Sequence, residues 1–216
     1  MTEKTLRQSL RSIKVFPTDL PPFDTDAVPS EPLALLTTWL LEAIESGVAQ
    51  PHAMVLSTVS AEGVPSARTL LLKDVTTEGV WFASLSSGPK GTDIAATGRV
   101  ALTLYWREQG RQVRITGTAK AGPREVSEGD FLARHPKARA EAIAGAQSTP
   151  IVDGAAALER ANRKIDSEPE YVPGDWTAYV VSPSTVEFWQ AGPDRNQTRL
   201  LYAGAGEEWS KQLIWP

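Results

Sequence analysis

Cysteine is absent from the 216 residues of this chain, and histidine occurs only at His52 and His135. The absence of thiols excludes disulfides, thiolate catalysis and cysteine-ligated metals. Two histidines are too few for a histidine-rich metal centre, so we expect the chain to bind no metal.

Long apolar runs and a strong net charge are also missing. No apolar run approaches the roughly 20 residues of a membrane span, and the charged residues 1–14 lack the apolar stretch of a signal peptide. The net charge of −4 disfavours nucleic acid or an anionic membrane as a partner. We therefore expect a cytoplasmic protein without either partner, in which a local cluster of cations holds any bound phosphate.

The length and the 41% hydrophobic composition suit one domain with a single core. Residues 1–29 contain segments stiffened by proline, around Pro17 and Pro21, and are predicted to be an extended or disordered N-terminal arm. Residues 30–216 are expected to form the domain itself.

The hydrophobic period predicts one helix followed by many strands. A helix is expected over residues 31–46, with an apolar face formed by Leu33, Leu36, Leu40 and Ile44. The period then changes to two, which predicts strands at 54–59, 65–73, 80–83, 100–106, 112–119, 176–181, 185–189 and 199–202. A short helix is expected at 90–97, and residues 124–168 are expected to be mostly helical, with segments at 126–134 and 155–165 and breaks at Pro136 and Pro150. The predicted fold is mainly β, an antiparallel barrel with peripheral helices.

One loop is a candidate anion site. Residues 87–91 combine serine, two glycines and Lys90 at the start of a predicted helix. The loop lacks a glycine that a nucleoside triphosphatase requires at this spacing, so we give that function little weight. Arg68 and Lys73 are two more cations, but five residues apart they point to opposite faces of a regular strand. On the residues alone, the simpler interpretation is one exposed and one snorkelling side chain.

Several short segments, none of them diagnostic alone, follow one another in a specific order. They are Pro51-His52-Ala53-Met54, residues 68–73, Lys90-Gly91, Tyr105-Trp106, Arg111-Gln112-Val113, Gln147-Ser148, Val186-Glu187-Phe188-Trp189-Gln190, and then Arg195 and Arg199. In this order they resemble the pyridoxamine 5'-phosphate oxidase family over about residues 30–216. The Arg-Gln-Val and Glu-Phe-Trp-Gln segments at this separation are the most specific part of the resemblance.

The resemblance implies an antiparallel split β-barrel that binds flavin mononucleotide (FMN) and forms a homodimer, with FMN in clefts between the subunits. It also implies an FMN-dependent oxidase. Hydride transfer from a small amine or alcohol substrate to FMN would be followed by reoxidation with dioxygen. The protein would supply position and electrostatics, so no catalytic triad is expected.

The family's cofactor residues are carried over by position. They are Arg68, Thr69, Leu71, Lys73, Phe82, Ala83, Lys90, Gln112, Gln147, Ser148, Trp189 and Arg199. The resemblance implies that Arg68, Lys90 and Ser148 bind the FMN phosphate, with Gln147 beside it. Trp189 and Arg199 would close the pocket from the other subunit.

The remaining cofactor residues would contact the rest of the flavin. Phe82 and Ala83 would lie along the ribityl chain and ring, largely through their backbone, and Lys73 and Gln112 would reach the polar edge of the ring. The family's phosphate loop usually contains Ser-Arg-Lys. The corresponding segment here ends in Pro89-Lys90, so the arginine of that loop is missing.

The substrate half departs further from the family pattern. The family binds its substrate's phosphate with a lysine, a tyrosine, an arginine and a serine. Lys73 is present, but Asp130 or Phe131 replaces the tyrosine, His135 or Arg134 stands for the arginine, and Ala138 or Arg139 stands for the serine. Gln197 replaces a histidine near the flavin and cannot carry its charge. The candidate substrate residues are Lys73, Phe131, His135, Arg195 and Gln197.

Three functions stay open at this level. The first is an oxidase of a vitamin B6 phosphate or another small amine or alcohol. The second is an oxidase of a reduced aromatic ring in secondary metabolism, as phenazine-pathway members of the family are, and the altered substrate residues favour it. The third is a flavin-binding or pyridoxal-phosphate-binding protein without turnover, suggested by the loss of the histidine.

Overall fold

The computed structural model describes residues 4–14, 16–17, 19–192, 196–205 and 208–216. Within these ranges the helices are α1 (Leu6–Arg11), α2 (Pro32–Glu45), α3 (Pro89–Thr97), α4 (Arg124–Leu132), α5 (Pro136–Ala144) and α6 (Gly154–Ser167). The strands are β1 (Ala53–Val59), β2 (Pro65–Leu71), β3 (Asp74–Thr76), β4 (Gly79–Leu85), β5 (Arg99–Trp106), β6 (Arg111–Ala121), β7 (Trp176–Gln190), β8 (Thr198–Ala205) and β9 (Glu208–Leu213). None of these described helices has the length and hydropathy that crossing a membrane requires.

The strands form one antiparallel sheet in the order β2-β1-β5-β6-β7-β4-β3, and β8 and β9 continue from β7. β6 pairs with β7 along residues 179–190. The opposite edge of β7 is shared between two strands, because residues 176–181 pair with β4 and residues 185–190 pair with β8. The sheet therefore divides near the middle of β7, and the predicted split β-barrel with peripheral helices is confirmed.

The continuity of β7 was not predicted. We expected two strands, at 176–181 and 185–189, but a bulge carries a single strand through Pro183. Bulges interrupt the hydrogen-bond ladder and therefore tolerate proline. The register shifts beside Gly117 of β6, where a Cβ atom would lie 2.2 Å from the carbonyl oxygen of Ser182. Only glycine fits at this point of closest approach.

The observed apolar face of α2 is rotated relative to the predicted one. The buried side chains of the helix are Pro32, Leu35, Leu36, Trp39 and Ala43. Leu33 and Leu40 are only partly buried, and Ile44 is 54% exposed. Trp39 accounts for the rotation, because its ring packs edge-on against Phe188 of β7 with the ring centroids 5.1 Å apart.

The predicted N-terminal arm is partly held against the barrel. Tyr202 donates its hydroxyl to the carbonyl oxygen of Pro29 at 2.8 Å, and Arg111 donates to that of Pro22 at 3.2 Å. Helix α1, which was not predicted, precedes this segment and buries none of its side chains. The arm thus has an exposed helical part and an extended part that is bonded to the domain.

Arg111 is a buried cation that joins three parts of the fold. Its side chain is 2% exposed, and its Nε donates to Gln190 Oε1 at 2.8 Å. It also pairs with Glu42 of α2, and its guanidinium lies 4.2 Å from the ring centroid of Trp39. In the Arg-Gln-Val segment of the sequence, Arg111 therefore has a structural role, whereas Gln112 is the candidate cofactor residue.

Helix α5 lies in the stretch 124–168 that we expected to be mostly helical, but it was not predicted as a separate segment, because we interpreted Pro136 as a break. Pro136 is instead the first residue of the helix, where a missing N–H costs nothing. His135 caps this helix, since its Nδ1 accepts a hydrogen bond from the backbone N–H of Lys137 at 3.3 Å.

Candidate active site

Three cations, Arg68, Lys90 and Arg134, line one cavity of about 410 Å³ between the edge of the sheet and the helical layer. Lys90 is only 8% exposed, and its Nζ donates to Ser84 Oγ at 3.0 Å and to Gln147 Oε1 at 2.5 Å. Arg68 lines the same cavity from β2. The structure therefore brings together Arg68, Lys90 and Gln147, three of the residues that the resemblance assigned to the FMN phosphate.

The loop before α3 places Lys90 near the start of the helix. Pro89 is the first helical residue, and Gly88 precedes it without any side-chain cap on the N–H groups of the first turn. A Cβ atom at Gly88 would lie 2.3 Å from Gln147 Oε1. Glycine at this position thus leaves the space in which Gln147 reaches Lys90.

The guanidinium of Arg68 is fixed by its neighbours on β1 and β2. Nη1 donates to Thr58 Oγ1 at 2.8 Å, and Nη2 donates to Ser66 Oγ at 2.7 Å. The hydroxyl of Thr58 in turn donates to Asp93 Oδ2 at 2.6 Å. Burial lowers the pKa of Arg68, and the negative charge of Asp93 opposes that shift.

Lys90 faces a like charge rather than a paired carboxylate. Burial lowers the pKa of Lys90, and the positive charge of Arg68 lowers it further. Among the described residues no carboxylate forms an ion pair with Lys90, although Glu141 also lines the cavity. Arg68 and Lys90 thus line one cavity close to the start of α3, an arrangement that suits a phosphate group.

The other residues predicted near the phosphate and ribityl chain are distributed unevenly. Thr69 and Ala83 line the cavity of Lys90, whereas Leu71 is 43% exposed at the sheet edge. The side chain of Phe82 is fully buried and stacks on Tyr179, so only its backbone is available to a ligand. Ser84, which sequence reasoning missed, contacts Lys90 instead; it lies two residues after Phe82 on β4.

Ser148 is next to Gln147 but does not line the cavity of Lys90. It lies in the loop between α5 and α6 and borders a neighbouring cavity. Its backbone has φ of +66°, a left-handed conformation that is uncommon for serine. The predicted pair Gln147-Ser148 is thus represented in the cavity by Gln147 alone.

Gln112, Trp189 and Arg199 form a row across three neighbouring strands. Gln112 of β6 is opposite Trp189 of β7, and Trp189 is opposite Arg199 of β8. Arg199 donates from Nε and Nη2 to the carboxylate of Glu187 at 2.9 and 3.0 Å, and this bonding raises its pKa. None of the three residues in the row lines the cavity of Lys90.

Lys73 lies in a second, smaller cavity of about 250 Å³. Its Nζ is 3.1 Å from Asp130 Oδ1, and the other oxygen of that carboxylate accepts a hydrogen bond from Trp176 Nε1 at 3.0 Å. Sequence reasoning kept Asp130 only as an alternative to Phe131. Phe131 is fully buried with its ring edge-on to Trp176, so it has no surface to offer a substrate.

The remaining substrate candidates have other partners. His135 caps α5, and Arg134 rather than His135 lines the cavity of Lys90, with its guanidinium 4.5 Å from the ring centroid of Trp176. Gln197 accepts a hydrogen bond from Trp189 Nε1 at 2.9 Å. Arg195 lies outside the described residues.

The fold and the cavity of Lys90 together define a class, a split β-barrel with a cationic pocket at one edge of its sheet. Residues 40–169 match the family model described as pyridoxamine 5'-phosphate oxidase. Residues 176–216 match the model of the pyridoxine 5'-phosphate oxidase C-terminal dimerisation region. The chain belongs to the pyridoxamine 5'-phosphate oxidase family, as the resemblance of its sequence segments indicated.

Similar proteins in other organisms carry the name pyridoxine/pyridoxamine 5'-phosphate oxidase. The one from Rubrobacter xylanophilus is 37% identical over 195 residues, which cover 88% of this chain and 89% of the relative. The one from Novosphingobium aromaticivorans is 36% identical over 197 residues, covering 88% and 97%.

Solved structures also resemble this chain. PhzG from Burkholderia lata 383, in complex with tetrahydrophenazine-1-carboxylic acid, has a TM-score of 0.83 and 30% identity, covering 91% of this chain and 99% of PhzG. A related FMN-binding protein from Nostoc punctiforme has a TM-score of 0.72 at 18% identity, which supports the fold alone.

Family membership makes FMN the cofactor of this chain, and the chain an FMN-dependent oxidase. The dimerisation region at residues 176–216 supports a homodimer.

Proposed function

We propose that the cavity of Lys90 holds the phosphate of FMN, and that the chain oxidises a small amine or alcohol with this cofactor bound between two subunits. The observation that carries the proposal is the convergence of Arg68 and Lys90 on one cavity in which Lys90 has no carboxylate partner among the described residues. A phosphate dianion would offset the repulsion between these cations and accept charge-assisted hydrogen bonds from both.

The donors around the cavity suit a phosphate group. Ser84 offers a hydroxyl beside Lys90, and the N–H groups at the start of α3 lack a side-chain cap. These groups supply donors where the family's loop arginine is replaced by Pro89. Thr58, which is itself bonded to Asp93, holds the guanidinium of Arg68, and Arg68 lines the cavity.

A position between subunits is supported by the row of Gln112, Trp189 and Arg199. Trp189 and Arg199 belong to the dimerisation region, yet they do not line the cavity of Lys90 in their own chain. Their location fits the expectation that each subunit lends these residues to the flavin of the other. Glu187 orients Arg199 for this role by accepting two hydrogen bonds from its guanidinium.

When bound, FMN supplies the redox chemistry, accepting a hydride from the substrate and returning its electrons to dioxygen. The side chains of this chain bind and orient the two molecules and exclude water from them. Lys73 and Gln112 would stabilise negative charge on the polar edge of the flavin ring. No acid–base triad among the residues is needed for this chemistry.

Turnover tests the proposal directly. FMN-loaded protein is mixed with pyridoxamine, pyridoxine and their 5'-phosphates in air, and hydrogen peroxide is measured. Release of peroxide with any of these amines or alcohols supports the proposed oxidase. A protein that binds FMN but oxidises none of them supports the ring oxidase described next, or a flavin-binding protein without turnover.

A second candidate function is oxidation of a reduced aromatic ring. It is favoured by the similarity to PhzG, whose structure contains a tetrahydrophenazine carboxylic acid, over nearly the whole length of both chains. The replacement of a charged family residue by Gln197 fits a substrate other than a vitamin B6 phosphate. Anaerobic bleaching of the flavin by a dihydrophenazine or tetrahydrophenazine carboxylate, but not by pyridoxamine 5'-phosphate, would select this function.

A further inference from the structure

The cavities of Lys73 and Lys90 differ in charge. The cavity of Lys90 is lined by three cations, Arg68, Lys90 and Arg134, and by one carboxylate, Glu141, whereas Lys73 is paired with Asp130 and shares its cavity with Asp74. Among the described residues that line it, the cavity of Lys73 thus contains two carboxylates and one ammonium group. Arg134 lines the cavity of Lys90 and not that of Lys73.

The ion pair between Lys73 and Asp130 is held in place from both sides. Asp130 lies on α4 with only 15% of its side chain exposed, and Trp176 Nε1 donates to it from the start of β7. The backbone N–H of Lys73 donates to the carbonyl oxygen of Trp81 at 2.8 Å, which fixes the backbone of the lysine beside β4. The indole of Trp176 thus holds the carboxylate where Lys73 meets it.

This arrangement sets the charge that a bound molecule meets. A phosphate dianion approaching Lys73 would meet the carboxylates of Asp130 and Asp74 and would have to displace an existing ion pair. A neutral group avoids that repulsion, and an ammonium group gains a hydrogen-bond acceptor in Asp130.

We propose that Asp130 is a specificity-determining residue that makes the cavity of Lys73 reject phosphorylated substrates and accept neutral or amine-bearing ones. The inference rests on the proposed function, because it treats the cavity of Lys73 as part of the substrate site. It adds the chemical class of the substrate, which carries no phosphate ester, and it assigns that choice to one carboxylate.

The test compares two ligands that differ only in a phosphate. The probes are 4-deoxypyridoxine and 4-deoxypyridoxine 5'-phosphate, neither of which carries the oxidisable 4'-hydroxyl group. Their dissociation constants are measured by isothermal titration calorimetry on the wild-type protein and on Asp130→Asn, with Asp130→Ala as a second variant in case one does not fold. Asp166→Asn, an exposed aspartate on α6, controls for the change in net charge.

The wild type should show no preference for the phosphorylated ligand. Asp130→Asn or Asp130→Ala should shift the ratio of the two affinities toward the phosphorylated ligand by about tenfold, the equivalent of about 1.4 kcal/mol, and Asp166→Asn should leave it unchanged. The proposal is overturned if the wild type already prefers the phosphorylated ligand about tenfold. It is also overturned if the Asp130 variants leave the affinity ratio unchanged or still bind no phosphorylated ligand, or if Asp166→Asn shifts the affinity ratio equally.

The same preparations separate this inference from the proposed function. The ratio of flavin to protein is read from the absorption spectrum before each titration, and calorimetry does not require the flavin signal. A protein that never binds FMN refutes the proposed function, whereas an unchanged affinity ratio in flavin-loaded variants refutes only the role of Asp130.

Discussion

Lys90 and Gln147 are 57 positions apart in the chain, and the Nζ of Lys90 lies 2.5 Å from Gln147 Oε1. Lys90 is the second residue of α3, and Gln147 lies in the loop that follows α5. Their contact connects the barrel to the helical layer at the point where we place the FMN phosphate. Substitutions that separate these two side chains should therefore reduce FMN affinity more than they reduce the stability of the fold.

Gly88→Ala should weaken FMN binding without destabilising the protein. The new Cβ atom would lie 2.3 Å from Gln147 Oε1, and the flexible end of Gln147 moves away more easily than the backbone. Loss of that contact should reduce FMN affinity by about tenfold, the equivalent of one hydrogen bond to a charged group. FMN titration monitored by fluorescence quenching measures the effect.

Two further variants show whether Gln147 carries this effect. Gln147→Ala should weaken FMN to a similar extent, and adding Gly88→Ala to it should change little, because the clashing atoms are gone. Gly129→Ala, on α4 where a Cβ atom meets nothing within 4 Å, should leave FMN affinity unchanged. Additive effects of Gly88→Ala and Gln147→Ala would show that the glycine acts elsewhere.

Arg68→Ala should reduce FMN affinity more than any single change on the substrate side. The variant removes one of the three cations that line the proposed phosphate site, and we expect a loss of about tenfold to a hundredfold. Gln197→Ala is the comparison, since Gln197 bonds to Trp189 rather than lining the cavity of Lys90. If Gln197→Ala empties the flavin site and Arg68→Ala does not, our division into cofactor and substrate residues is wrong.

FMN affinity should fall as the pH rises into the alkaline range. Burial and Arg68 lower the pKa of Lys90, so this lysine loses its proton at a lower pH than an ordinary lysine. A phosphate binds the protonated form, and bound phosphate raises the pKa again, so affinity is greatest below the lowered pKa and declines above it. Lys90→Arg should move the decline to higher pH, as shown by dissociation constants measured across a pH series.

The pH dependence that Lys90 gives to the stability of the FMN-free protein should have the opposite sign to that of FMN affinity. Between the lowered pKa of the folded state and the ordinary pKa of the unfolded state, the unfolded chain binds more protons. The contribution of Lys90 to the free energy of unfolding therefore increases with pH over that interval. Lys90→Met should remove this contribution, which urea unfolding at several pH values would detect.

Arg111→Ala should destabilise the fold by about 3 kcal/mol, because it leaves the side-chain oxygen of the buried Gln190 unsatisfied and removes a cation from the ring of Trp39. Arg114→Ala, three residues further along β6, is the control. Its side chain is 53% exposed and its ion pair with Glu187 is 3.5 Å long, so we expect less than about 1 kcal/mol. Urea unfolding at one fixed protein concentration measures both, and equal losses would contradict the account of Arg111.

The sequence predicted the strand pairs, α3 and the cationic loop because each depends on local patterns. It predicted a mostly helical stretch at 124–168 but did not place α5 in it, since Pro136 suits a helix start as well as a break, and only the packed structure decides between them. It also missed the continuity of β7 through Pro183, because the bulge forms only when β6 lies beside it. The rotation of α2 likewise follows from the size of Trp39 and its contact with Phe188.

The candidate site was predicted better for the cofactor than for the substrate. Arg68, Lys90 and Gln147 converge as the resemblance implied, whereas the choice between Asp130 and Phe131 needed the position of α4. A shift of one residue in the match to the family exchanges Phe131, a core side chain, for Asp130, which faces a cavity. The match to the family is gapped in this segment, so the sequence does not decide between the two residues. Ser84 was missed because its partner, Lys90, lies on another element.

The most direct measurement of the central claim is the flavin content of the purified protein together with its size in solution. We predict a yellow protein with a flavin spectrum that elutes as a dimer and binds one FMN per chain when cofactor is added in excess. A colourless protein that elutes as a monomer and does not bind added FMN would contradict the account.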